Sequence, residues 1–115
     1  MSFRWPNKDP DEQLDYSVDW SRFLGTATIS TVTWSVKSTA YSTKTTLGAG
    51  QTLTVASSSA TTDSIQNVSQ TNTTTVATIN VGGGTNNIEY TFFCNMVDST
   101  GSQAERSIKL RVKER

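Results

Sequence analysis

The sequence predicts an all-β fold: an immunoglobulin-like β-sandwich of about six to eight short antiparallel strands with an extended N-terminal arm. Three observations lead there. Ser and Thr make up roughly three in ten of the 115 residues, and β-branched Thr suits a pleated surface better than a helix. The last stretch, 88–115, has a period of two: Ile88, Tyr90, Phe92, Cys94 and Met96 fall on alternate positions, and Ile108, Leu110 and Val112 alternate with Lys109, Arg111 and Lys113. Short polar residues and glycines recur at turn spacing, as in Asp98-Ser99-Thr100-Gly101-Ser102-Gln103 between those two runs, and helical periodicity is missing. Two strands do not stay folded alone in water, so the rest of the chain has to cover the apolar side of this hairpin. A small closed barrel is the alternative that periodicity does not separate from a sandwich.

In chain order, residues 1–12 read as an arm and residues 13–115 as one β-sandwich domain. Phe3 and Trp5 alternate with Arg4, while Pro6 and Pro10 fix their own φ and push the preceding residue toward an extended shape, which bars a helix. Leu14, Tyr16, Val18 and Trp20 then alternate with Asp15, Ser17 and Asp19, giving a strand with one apolar and one acidic face. Phe23 and Leu24 end that unit and Gly25 turns the chain. A second strand follows, with Val32, Trp34 and Val36 opposite Thr31, Thr33 and Ser35; Ile29 is out of phase, so a bulge or bend belongs between Ile29 and Val32. From Ser38 to Thr75 the spacing of Tyr41, Leu47, Leu53, Val55, Ile65 and Val68 suggests short edge strands with long connections. Ala77, Ile79 and Val81 form another alternating run, and Gly82-Gly83-Gly84-Thr85-Asn86-Asn87 turns into the final hairpin. The two sheets are expected to meet over Trp20, Trp34, Tyr90 and Phe92.

A chain of this length supports one core. Ten basic and ten acidic residues give a formal charge of +0, so no global field draws the protein to nucleic acid or anionic lipid. No apolar run is long enough to span a bilayer, and Met1-Ser2-Phe3-Arg4-Trp5-Pro6 lacks the apolar region of a signal peptide, so synthesis and folding in a cytoplasm are expected. Cys94 is the one cysteine, which rules out an internal disulfide and suggests a buried thiol.

The sequence has no histidine, which removes the usual general base, the usual triad and the commonest zinc ligand. No phosphate-binding glycine frame leads into a helix. Asp9, Asp11, Glu12, Asp15 and Asp19 are numerous enough for a pair of catalytic carboxylates, but they sit on an arm and an outer strand face with no sign of a cleft. Pro10 also interrupts any calcium loop among them. No catalytic residue, metal or cofactor is therefore expected.

What remains is binding. Acids crowd the start of the chain, whereas Arg106, Lys109, Arg111, Lys113 and Arg115 are expected on the outward positions at its end. Either the two groups neutralise each other within one chain, or the acidic side of one subunit meets the basic side of the next. Head-to-tail contacts of the latter kind close into rings when the rotation allows. Phe3 and Trp5 are costly to leave in water, so they either cover the domain's own open edge or anchor in a partner's groove. The candidate partner-binding residues are accordingly Phe3, Trp5, Pro6, Lys8, Asp9, Asp11 and Glu12 with Arg111 and Lys113.

Three stretches also carry a family resemblance. Trp5-Pro6-Asn7-Lys8-Asp9-Pro10-Asp11-Glu12, then Leu14-Asp15-Tyr16 with Asp19-Trp20, and finally Glu105-Arg106-Ser107-Ile108 with Leu110-Arg111-Val112-Lys113-Glu114-Arg115 resemble the opening, first strand and ending of fibre-tail adaptors of tailed bacteriophages. Thr28-Ile29-Ser30 and Thr33-Trp34 look like the same family, while Ser102 stands where such proteins often have a basic residue. The resemblance implies a virion component at the neck or tail, made in the bacterial host cytoplasm, that joins the tail to fibres or to a neighbouring ring. It further implies a symmetric homo-oligomer whose partners are other virion proteins rather than nucleic acid or membrane. Two readings of other classes are a decoration or cement protein on the capsid shell, and a carbohydrate-binding sandwich that stacks exposed aromatics on sugars.

Overall fold

Alternating apolar side chains force β-strands to pair so that one face of each is buried, and the final hairpin shows this most fully. In a computed structural model that describes residues 3–39, 44–54 and 62–114, strand β8 (Ile88–Asp98) runs antiparallel to β9 (Gln103–Val112), with Tyr90 opposite Leu110 and Phe92 opposite Ile108. Tyr90, Phe92, Cys94, Met96, Ile108, Leu110 and Val112 are all buried. The turn between them is held by one side chain: Asp98 accepts hydrogen bonds from the N–H groups of Thr100 (2.9 Å) and Ser102 (3.0 Å) and from the Thr100 hydroxyl (2.6 Å). Those donors hold the Asp98 carboxyl below its usual range, the Thr100 hydroxyl contributing most.

The remaining described elements are β1 (Phe3–Arg4), β2 (Leu14–Asp19), α1 (Ser21–Leu24), β3 (Ile29–Ser38), β4 (Thr45–Thr46), β5 (Thr52–Thr54), β6 (Thr62–Asn72) and β7 (Val76–Gly82). One sheet has the order β1-β9-β8-β3-β4 and the other β2-β7-β6-β5. Their inner faces enclose a core that includes Trp20, Trp34, Tyr90 and Phe92, so the fold is an all-β sandwich. Along β3, the pairing with β8 shifts register between Ile29 and Thr31, which is the irregularity that the out-of-phase Ile29 signals.

The structure departs from the sequence expectations in two places and decides between two alternatives in a third. First, the described residues contain nine strands, several of them long: β6 and β8 have 11 residues each. Ile65 and Val68 therefore lie on one continuous strand rather than on short edge pieces, while Tyr41 and Val55 fall outside the described residues. Second, residues 21–24 form a helical turn, too short for any periodicity to reveal, which Gly25 ends at a positive φ of 60°. Third, the described part of the extended arm, residues 3–12, lies along the edge of the sandwich, so of the two alternatives for Trp5 the structure adopts the cover of the domain's own edge over a partner's groove.

That third outcome has a clear physical cause. The outer edge of β9 would otherwise leave a row of peptide groups unpaired. β1 fills it in parallel register, with Phe3 opposite Ile108 and Arg4 opposite Lys109; further along, Trp5 N–H donates to Lys109 O (2.9 Å) and Lys8 N–H to Arg111 O (3.0 Å). Trp5 then turns inward and is only 9% exposed. Its indole stacks on Tyr16 at 4.6 Å and 20°, and lies 6.0 Å from Trp34 and 5.6 Å from Phe92. Covering the domain's own edge is thus the outcome for Trp5, because the indole loses more water-exposed apolar surface there than on an isolated arm.

Two outcomes follow. Trp5→Ala lowers the unfolding free energy by about 3–5 kcal/mol in urea titration, as for other large-to-small core changes; an unchanged midpoint would return the partner's groove as the place of the indole. Asp98→Asn is less stable than the parent at neutral pH, and the gap narrows as pH falls below about 4. A carboxyl with a lowered folded pKa stabilises only while it is ionised, so that contribution is lost as pH drops through the folded value.

Candidate partner-binding surfaces

The N-terminal motif builds a rim at one end of the sandwich. Pro10 sits in a turn closed by reciprocal bonds: Asp9 Oδ1 accepts from Asp11 N–H (2.9 Å), Glu12 Oε1 accepts from Asp9 N–H (2.9 Å), and Glu12 N–H donates to Asp9 O (3.0 Å). Lys8, just before the turn, is fully buried, and its Nζ donates to Gly83 O (2.5 Å) and Asp9 O (2.8 Å). Desolvation lowers the Lys8 pKa, opposed by the nearby charges of Glu12, Asp9 and Asp11. Lys113 N–H closes the rim on Lys8 O at 2.8 Å.

The structure therefore brings the expected residues of both termini together but sorts them by exposure. Trp5 and Lys8 are buried, so neither side chain is presented to a partner: the first fills the core, and the second satisfies carbonyls of the glycine turn. Phe3 contributes its backbone to the β9 edge, and its side chain lies outside the described residues. Pro6, Asp11 and Lys113 are exposed, and Asp9, Glu12 and Arg111 are partly so.

Charge is segregated between the two outer faces. On the β9 sheet, Arg4, Lys109 and Arg111 point outward, and Lys37 and Lys44 flank the Phe93 ring at 5.8 and 4.7 Å. Glu89 pairs with Arg4 at 2.7 Å and Lys109 at 3.6 Å, and the Arg4 hydrogen bond is the main reason its carboxyl stays below its usual range. Glu105 pairs with Lys44 at 2.6 Å. The β2 sheet instead presents Asp15, which accepts from Asn80 Nδ2 (2.9 Å), and Asp19. β2 and β9 belong to different sheets, and their charges meet at Arg106, whose Nη1 donates to Asp19 O (3.2 Å) and whose charge helps hold the Asp19 carboxyl below its usual range, after the hydrogen bonds from Ser21. Arg106 is a further correction. It shares the inward phase of Ile108, with its guanidinium 4.6 Å from the Trp20 ring.

That inward turn of Arg106 shapes a feature the sequence does not announce. Where β2 and β9 part, a groove of about 310 Å³ opens between Val18 and Asp19 of β2, Arg22 of α1, and Arg106 and Ile108 of β9. Beside it Phe23, the one large apolar side chain exposed among the described residues (45%), stands edge-on to Trp20 at 5.9 Å. The sole hint in the sequence is that Phe23 follows Trp20 out of phase with the preceding strand.

Among the described residues no three or more His, Cys, Asp or Glu side chains lie close enough to hold a metal ion, and no helix is long and apolar enough to cross a membrane. Burial pushes the Cys94 thiol up to about 11, so it is protonated and poorly nucleophilic at neutral pH. The molecule is an all-β sandwich whose distinctive chemistry lies on faces, an edge and a rim. Residues 8–111 match the family model Gp77, described as Podophage GP4 fiber-tail adaptor protein gp77, and the chain belongs to that family of phage structural adaptors. The match spans the Thr- and Asn-rich middle of the chain as well as most of the terminal motifs. Comparison with curated proteins and with solved structures gave no match.

Lys8→Met keeps the buried stem but removes the donors to Gly83 O and Asp9 O. It is expected to destabilise by about 2 kcal/mol in chemical denaturation, because two part-buried carbonyls lose charge-assisted bonds; a neutral or stabilising effect would mean that the buried charge costs more than its bonds return.

Proposed function

We propose that the chain is a non-enzymatic connector at the neck or tail of a podophage virion, present as a symmetric homo-oligomer that links the tail to fibres or to a neighbouring ring. Family membership supports the adaptor role. The observation that carries the oligomer is the charge segregation: a basic outer face on the β9 sheet and an acidic one on the β2 sheet point away from each other on one rigid block. Self-complementary opposite faces favour heterologous contacts between copies, which generate rings when the rotation closes. The strand order, with β1 parallel to β9 and β2, β7 and β6 in the opposing sheet, supports an immunoglobulin-like module. On the rim, Pro6, Asp9, Asp11, Glu12, Arg111 and Lys113 are the motif residues left for contact with other virion proteins, and the zero formal charge supports neither nucleic acid nor membrane as partner.

In phage assembled with an Arg111→Glu, Lys113→Glu chain, incorporation of the protein into particles falls by about tenfold or more, whereas the isolated variant keeps its unfolding midpoint within about 0.5 kcal/mol. Cryo-microscopy of the parent particle places the density in the tail, as a ring with unlike faces in contact. Density in the capsid shell, or undiminished incorporation of the double variant, would count against the proposal.

A further inference from the structure

We propose that the open end of the β2 edge accepts, by strand addition, an extended segment of another tail protein that places an apolar and an acidic side chain two residues apart. The groove itself is independent of the adaptor role; only the assignment of the segment to a tail protein rests on it.

β2 is an edge strand, paired with β7 on one side only. Its peptide groups alternate between that neighbour and the open side. Trp20 N–H donates to Thr75 O at 2.8 Å, which extends the β2–β7 ladder and puts the even-numbered residues on the paired side. The odd-numbered ones face out: Ser17 O accepts from Trp5 Nε1 (3.4 Å) and Asp19 O from Arg106 Nη1 (3.2 Å), both across the gap between the sheets. The N–H groups of Ser17 and Asp19 point the same way, about 6.7 Å apart by strand rise, which is the spacing of carbonyls two residues apart on an added strand. The Trp5 segment covers this edge only as far as Ser17, and the groove begins there.

The walls specify what such a segment carries. Alternate side chains of an added strand point between the sheets. One meets the apolar floor of Val18 and Ile108, and the next meets the end lined by Arg22 and Arg106, where the Asp19 carboxylate is already engaged by Ser21 N–H (2.9 Å) and leaves the two arginines in excess. Exposed Phe23, backed by buried Trp20, and two arginines lining the same groove also make the composition of an interface hot spot.

The test uses the whole chain and a labelled heptapeptide in which threonine alternates with valine, aspartate and valine, read by fluorescence anisotropy at low salt. Saturable binding is expected, weakened about tenfold or more by Arg22→Glu, by Ser17→Pro, or by lysine in place of the peptide aspartate. Proline is tolerated where an edge N–H points outward, and Arg22→Glu, on an exposed helical residue, decides the matter if Ser17→Pro does not fold. No binding to the parent, equal binding of the lysine peptide, or full binding to a folded Ser17→Pro or Arg22→Glu chain overturns the proposal. So does a dimer of the parent, seen in sedimentation and abolished by Ser17→Pro, because a second copy would then fill the edge.

Discussion

A single indole ties this sandwich together. Trp5 arrives on a two-residue strand at the rim of one sheet, yet it stacks on Tyr16 of the other and reaches Trp34 and Phe92 across the core. A parallel ladder of two residues is too short to hold itself. What keeps the N-terminal segment in place is the apolar surface that Trp5 removes from water, followed by the bonds that run from Trp5 to Lys8 along β9. The edge of β9 is covered as a result, and the open stretch of β2 begins where the Trp5 segment ends.

The glycine turn imposes the matching constraint from the other side. Gly84 adopts a φ of 106°, and a Cβ there would come within 2.7 Å of Val112 Cγ2. Only glycine combines that conformation with so close an approach to β9. The same turn offers the Gly83 carbonyl to the Lys8 ammonium, so a buried cation, normally costly, is met by oxygen on two sides. Trp5, Lys8 and the Asp9–Glu12 turn are consecutive parts of one closure, so most of residues 5–12 has a role inside the fold.

Much of this architecture was legible because alternation survives wherever a strand is regular. The β8–β9 hairpin, the apolar face of β2 and the break after Ile29 all announce themselves by phase. β6 does not, for two reasons. Its register against β7 shifts between Asn67 and Ser69, which breaks the period of two, and a core position is taken by Asn67, fully buried with its Nδ2 bonded to Leu47 O (3.0 Å) and Gln70 Oε1 (2.9 Å). A buried polar residue whose amide donates to Leu47 O, outside its own strand, looks like a surface residue in the sequence. Lys8 misleads in the same way, since its partners lie next door in sequence and 75 residues away. Of the candidate surface, the outward charges of Asp15, Asp19, Lys109 and Arg111 could be read in advance, but the inward turn of Arg106 and the assignment of β2 and β9 to opposite sheets could not, because the latter depends on topology rather than on period.

That assignment bears on how an adaptor with no net charge selects its neighbours. A neutral chain gains little long-range attraction, and exposed ion pairs contribute under about 1 kcal/mol each. Segregated faces act differently: they disfavour any partner that approaches with like charge toward like, so they fix orientation more than they add affinity. Affinity then has to come from buried apolar or backbone contacts, and β2 is where the described residues leave such contacts unmade, beside an exposed Phe23 and two arginines. Orientation by the charged faces and attachment through the open edge are therefore physically separable, because the first acts through outward side chains of both sheets and the second through the backbone of one strand.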